Sequence, residues 1–156
     1  MRTNFRKSSR HSKITGDFGE ALVLYWLSKH GYECARVDHT GIDIIARHPK
    51  SGELLGISVK SRSRAPGTEG TEVSVPKENF EKAKQACRAF GCVPYFAFII
   101  DAGRTTRAYL LPLRHVLKLC PRNKRVVSWG MSERHLARYY ADPEVTVIEL
   151  YNARGW

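Results

Sequence analysis

The spacing of apolar positions changes along the chain, and each change of period marks an element. Phe18-Gly-Glu-Ala-Leu-Val-Leu-Tyr-Trp-Leu is apolar at nearly every position, which predicts a helix packed between other elements. Thr15 or Asp17 is suited to be its N-cap, and Gly31 to a left-handed position at its end. Residues 32–37 read as a short strand. Ile42-Asp-Ile-Ile-Ala-Arg-His and Glu53-Leu-Leu-Gly-Ile-Ser-Val-Lys-Ser-Arg read as two more. The turn signal Pro49-Lys-Ser-Gly52 between them predicts a hairpin. Residues 63–71 are loop by composition, and 72–75 a short extended segment. Pro76 then opens a helix to Phe90, with Phe80, Ala83, Cys87 and Phe90 on its apolar face and Gly91 closing it. The continuous apolar run over 94–101 predicts a buried strand, with 107–113 as its partner. A short helix is expected over 114–119, another over 132–140 capped by Ser132, and a last strand over 145–151. This alternation is an α/β layering.

The hairpin has a chemical consequence. With residues 49–52 as the turn, His48 faces Glu53, and counting back sets Asp43 opposite Ser58. Opposed residues project from one face and side chains alternate along a strand, so Ser58, Lys60 and Arg62 share a face with Asp43. Ile42, Ile44, Ile57 and Val59 form the other, core-facing side. Asp43 and Lys60 are thus predicted neighbours. Glu20 is the only charged residue between Phe18 and Leu27, on the helix side of Val23, Leu24 and Leu27. A carboxylate on such a surface costs on the order of several kcal/mol unless a cation or hydrogen bonds meet it.

Each residue has a plain explanation taken singly. Glu20 would be stabilised by the early turn of its helix, Asp43 paired with a nearby arginine, and Lys60 solvated on its strand. Together they meet the needs of phosphodiester hydrolysis. That reaction takes a divalent ion to neutralise the phosphate and acidify a water. Magnesium prefers one or two carboxylates with waters and phosphate, and an ammonium stabilises the building charge. Asp43 suits the ligand, Lys60 the ammonium and Glu20 the further carboxylate.

The bulk properties choose a partner class. A length of 156 residues fits one domain, and 42% hydrophobic residues exclude global disorder. The division expected is a flexible basic arm over 1–14 and a single domain over 15–156, the arm being either a solvated tail or a phosphate contact. No apolar stretch approaches the roughly 20 residues of a membrane span, and the first residues lack the apolar core of a secretory signal, so a cytoplasmic location is expected. The formal net charge of +11 favours a polyanion, DNA foremost with RNA left open. A membrane surface is disfavoured, because the basic residues do not lie on one long amphipathic helix.

Arg62 and Arg64 follow Lys60, while Lys77, Lys82, Lys84 and Arg88 line the second helix and Arg122, Lys124 and Arg125 form a later basic group. Each is either a solvated face or part of a phosphate-binding surface. Trp129, Tyr139, Tyr140 and Trp156 are either core residues or base-stacking platforms. Cys34, Cys87, Cys92 and Cys120 contain no Cys-x-x-Cys pair and read as buried apolar fillers.

Gly19-Glu20-Ala21, Gly41-Ile42-Asp43-Ile44-Ile45-Ala46 and Ile57-Ser58-Val59-Lys60-Ser61 together resemble the core of the PD-(D/E)XK nuclease superfamily. The nearest likeness is to the archaeal Holliday-junction resolvases and small restriction-endonuclease-like proteins. It covers about residues 15–62, and the helix from Pro76 and the strand from Pro94 fit its continuation. The resemblance implies a restriction-endonuclease-like fold, a mixed central sheet flanked by helices. It implies a magnesium- or manganese-dependent endonuclease acting on DNA, structure-selective or of restriction type, and commonly a homodimer. Glu20, Asp43 and Lys60 would then be the first-helix carboxylate, the central metal ligand and the catalytic lysine.

The chain departs from this pattern at Ser58, where the family has Asp or Glu. Ser58 would be a neutral, weaker member of the catalytic set. Some restriction enzymes of the superfamily with serine here recruit a later glutamate, for which Glu72, Glu78 and Glu81 are candidates. Otherwise the protein is a catalytically impaired nucleic-acid-binding module on the same fold. A further alternative is a basic ribosome- or protein-associated adaptor whose carboxylates are structural.

Overall fold

A computed structural model describes residues 6–121, 123 and 125–155. The first five residues of the expected arm, Arg122, Lys124 and Trp156 lie outside the described residues. Helix α1 (His11–Lys29) begins ahead of both expected caps, with Arg10 at its N-cap and no side-chain cap bond. Thr15 and Asp17 are spent inside the helix instead. The Thr15 hydroxyl donates back to the His11 carbonyl at 2.7 Å, and Asp17 pairs with Lys13 at 3.0 Å. Residues 11–14, expected in the arm, are therefore helical. Nor is α1 enclosed on all sides: Gly19, Val23 and Leu27 are buried, while Tyr25 is 66% exposed.

Strands β1 (Glu33–His39), β2 (Ile42–Arg47) and β3 (Leu54–Ser63) follow as antiparallel neighbours. The turn between β2 and β3 is the one counted from the sequence. His48 N–H donates to the Glu53 carbonyl at 2.8 Å, and Ile44 pairs with Ile57. Beyond a loop, β4 (Val73–Pro76) leads into α2 (Lys77–Phe90), which ends at Gly91 with φ 66°. Strand β5 (Val93–Ala102) then lies parallel to β3. Parallel neighbours need a crossover, and the segment through α2 supplies it. Strand β6 (Thr105–Pro112), helix α3 (Leu113–Leu119), strand β7 (Val126–Trp129), helix α4 (Glu133–Ala141) and strand β8 (Thr146–Tyr151) complete the chain. The main sheet has the order β1-β2-β3-β5-β6-β8, and β4 pairs with β7 in a separate ribbon. Among the described residues no helix is long and apolar enough to cross a membrane.

Helices cover both faces of the sheet. On one, Val23 and Leu27 of α1 meet Ile44, Ala46, Leu55, Ile57 and Ile99. On the other, Phe96, Phe98, Tyr109 and Leu111 lie under α2, α3, α4 and the ribbon. Trp129 stacks between Phe98 at 4.6 Å and Tyr139 at 4.0 Å, so two of the four aromatics weighed as base platforms are core. Tyr140 is half exposed and bonds Glu149 and Arg107. Buried His115 on α3 sits between Asp142 at 2.7 Å and Glu144 at 2.9 Å, tying α3 to the turn after α4.

Two sequence expectations are corrected here. The face of β3 opposite the isoleucines is not open, since Gly56 and Ser58 are buried beneath α2's side of the sheet. Ile42 also leaves the company of Ile44 and Ile57 and packs with Ala86 and Cys87 of α2. The β1–β2 register shifts between Arg36 and His39, and Gly41, at φ 99°, seats the hairpin turn on the backbone of Lys82 and Ala83. That draws the first residue of β2 toward α2.

The spacing of Cys87 and Cys92 belongs to the end of α2. Cys92 N–H reaches back to the Cys87 carbonyl at 2.8 Å around the left-handed Gly91, the bond of a Schellman cap whose apolar contact falls between these two positions. Burial pushes the Cys87 thiol up to about 11 and the Cys120 thiol up to about 12.

Candidate active site

The β2–β3 ladder ends at Ile44 and Ile57. One step further the count would pair Asp43 with Ser58, but there a side chain takes over from the backbone: the Asp43 carboxylate accepts the Val59 N–H at 2.7 Å. Asp43 is thereby fixed at the level of the sheet, where the two strands part. This position serves both faces. Lys60 approaches Asp43 from α2's side, and Glu20 approaches it from α1's side.

Lys60 is half-buried. Burial lowers its proton affinity below the ordinary lysine value, Asp43 opposes that shift, and Arg62 and Lys82 add to it. The ammonium thus sits among one carboxylate and two further cations. Lys82 is brought there by the Gly41 turn, which rests on its backbone.

Glu20 owes its position to its neighbour in the helix. At Gly19 a Cβ would overlap the Ser61 hydroxyl, so α1 crosses β3 closely here and carries Glu20 over the sheet. Burial raises the Glu20 carboxyl above its ordinary value, and the Asp43 charge adds to this. Arg36 of β1 pulls the other way, pairing with Glu20 at 3.0 Å while also donating to the Asp17 carbonyl at 3.2 Å. Sequence reasoning missed Arg36. Counting back from the Thr40-Gly41 turn sets Arg36 opposite Ile45, on α2's side, whereas the register shift in β1–β2 sets it opposite Ile44, on the side of α1 and Glu20.

Asp43, Lys60 and Glu20 therefore come together, and Ser58, 2% exposed, is buried in the strand beneath them. None of the three candidate glutamates acts on Lys60 or Glu20, though Glu78 meets the neighbouring Lys82. Glu72 accepts the Ser128 hydroxyl at 3.2 Å on the ribbon, Glu78 pairs with Lys82 at 3.7 Å, and Glu81 with Lys84 at 3.3 Å. The charges acting on Lys60 are Asp43, Arg62 and Lys82, and those on Glu20 are Asp43, Arg36 and Asp17.

The basic residues divide likewise. Arg62 lies beside Lys60. The Arg64 guanidinium is turned to the carbonyls of Thr71 and Glu72, at 3.3 and 3.0 Å, and pins the loop before β4. Lys77, Lys84 and Arg88 form a stripe on α2, turned about 140° from Lys82 on a helical wheel. Ahead of α1, Lys7 reaches the Ser63 carbonyl and hydroxyl, both at 3.1 Å, at the end of β3.

The donor set can be tested against a divalent ion. Asp43 and Glu20 are two hard carboxylates whose charges oppose one another, and that opposition is what a dication relieves. Magnesium or manganese accepts such a pair, taking its remaining ligands from water and phosphate. The protein's own contribution stops there, since among the described residues no group of three or more His, Cys, Asp or Glu side chains is arranged to hold a metal.

No family model matches the chain, and no curated protein matches it by sequence. Its fold is similar to that of Hjc, a Holliday junction resolvase from the archaeal hyperthermophile Archaeoglobus fulgidus. The TM-score is 0.57 at 20% identity, over 79% of this chain and 88% of that one. The six-stranded mixed sheet flanked by helices is thus a resolvase-type, restriction-endonuclease-like fold.

Proposed function

We propose that the chain is a metal-dependent endonuclease hydrolysing DNA phosphodiester bonds, structure-selective in the manner of a junction resolvase or of restriction type. One observation carries this reading: Asp43, anchored on the Val59 amide, has Lys60 and Glu20 as its charged neighbours. The shared fold with a junction resolvase supports it. DNA is the partner it takes, and a pair of chains the assembly.

Asp43 and Glu20 would hold magnesium or manganese, which when bound neutralises the phosphate and acidifies a water. Lys60 meets the charge that builds on the phosphate oxygens, and its half-buried position strengthens that interaction over one in bulk water. Asp43, its carboxylate neighbour, opposes the loss of the proton that burial and the nearby cations favour. Arg62 and Lys82 attract and orient the DNA backbone without reading sequence. Ser58 supplies no charge and keeps the strand packed.

Ser58 also favours a second reading, a binding module that has lost cleavage. The deciding experiment incubates the chain with duplex, single-stranded, flap and four-way DNA in magnesium or manganese. Ion-dependent incision of at least one of these is expected. Salt-sensitive binding without incision in either ion would select the binding module. Absence of salt-sensitive binding would select a basic adaptor.

A further inference from the structure

We infer that a cavity beside the active site takes one unpaired base of the bound nucleic acid, while the phosphates next to that base lie on Arg62 and Lys60. The inference rests on the active-site reading above and names a further part of its substrate. The cavity measures about 440 Å³, inside the roughly 300–1,000 Å³ of small-ligand sites. Its floor is the main sheet. Arg62 of β3 pairs with Ile100 of β5, and Ile100 pairs with Arg107 of β6. Residues in such a row project from one face, and neighbouring strands lie about 5 Å apart. Ile100 and Arg107 both line the cavity, so it opens one strand away from Arg62. Arg62 in turn acts on Lys60.

The walls are held by the protein's own bonds. On one side is the loop before β4, through Glu69 and Gly70. Arg64 pins this loop, its amide donating to the Asp101 carbonyl at 2.8 Å and its guanidinium to the carbonyls of Thr71 and Glu72. On the other side is the start of α4, through Met131, Glu133 and Leu136. The Ser132 hydroxyl makes no cap bond there and lies 2.7 Å from His135 Nδ1 instead, so no side chain occupies the first amides of α4. This lining selects the occupant. Ile100, Met131 and Leu136 make it largely apolar. Its charged side chains are Glu69, Glu133 and Arg107, and Arg107 is offset by Glu149 at 3.3 Å. Two carboxylates beside a compensated guanidinium repel a phosphate. A base is neutral and flat, and its edges carry N–H donors for carboxylates and acceptors for amides. It enters such a pocket at least cost where it is already unpaired, as single-stranded and flap DNA offer it.

The test is fluorescence anisotropy of the full chain with two end-labelled DNA duplexes, in chelator to prevent cleavage. One duplex carries a single unpaired adenine, the other an abasic residue in its place. The two have equal charge, so a difference in affinity reports on the base. About tenfold tighter binding of the base-bearing duplex is expected. Equal affinities overturn the inference. Leu136→Trp, which fills the cavity, should abolish the difference. Because Leu136 also packs against the core, Glu133→Gln, at an exposed position, provides the independent variant and should narrow it. A difference that persists undiminished in both variants puts the base elsewhere and overturns the inference too. Arg62→Gln separates its failure from that of the active-site reading. If this variant weakens both duplexes and the wild type binds them equally, only the present inference falls. If it leaves both affinities unchanged, the nucleic acid lies elsewhere and the active-site reading falls as well. If the wild type binds neither duplex, the inference falls with the reading it rests on.

Discussion

Lys60 answers to stability and to chemistry with opposite signs. Burial is the largest influence on it and favours the neutral amine, so its folded-state proton affinity lies below the ordinary value of 10.5. The charged form therefore weakens the fold in full at every pH below the folded value. That loss fades as pH rises through the interval up to 10.5 and is absent above it. Lys60→Met should raise the melting temperature at pH 7, with the gain disappearing in alkaline buffer, and should abolish cleavage. A melting temperature that falls in this variant at pH 7 would mean that Lys60 holds the structure together. A residue whose removal stabilises the fold and ends activity is one retained for function.

Among the elements, the β2–β3 hairpin is the one on which the site depends, and Gly19 of α1 and Gly41 before β2 hold its surroundings in place. Gly41 combines a left-handed φ of 99° with contact against the backbone of α2. Neither neighbour is a side chain able to move aside. Gly41→Ala should cost about 1–3 kcal/mol and reduce cleavage further, by moving Lys82 and the start of β2 relative to Lys60. Chemical denaturation and cleavage rates check this, and a variant of unchanged stability would remove the turn's docking from the account. The hairpin was legible in the sequence because Pro49-Lys-Ser-Gly52 sets the register and alternation does the rest. Other features were not legible, for identifiable reasons. The start of α1 was misjudged because Thr15 and Asp17, good caps by type, find partners within the helix. Strand β7 spans four residues and exists through its pairing with distant β4. Ile42 and Arg36 were misplaced or missed because a register shift in β1–β2 breaks the parity that simple counting assumes.

At the scale of the whole molecule, the charge of +11 favours a polyanionic partner. The fold class was legible because its core runs from Glu20 to Lys60 with short connections. Which basic residues flank the site was not, because that depends on helix facing and loop contacts. Arg64 turns to a loop, and Lys77, Lys84 and Arg88 turn away from Lys82. Duplex binding should weaken by more than about tenfold between 50 and 200 mM salt, and a salt-independent affinity would argue against a phosphate-binding surface. The central claim is that Asp43 and Lys60 belong to one active site, and the measurement closest to it is DNA incision by wild type, Asp43→Asn and Lys60→Ala in manganese. The account predicts incision by wild type and none by either variant, with both still binding the DNA. Incision that survives in both variants would contradict it.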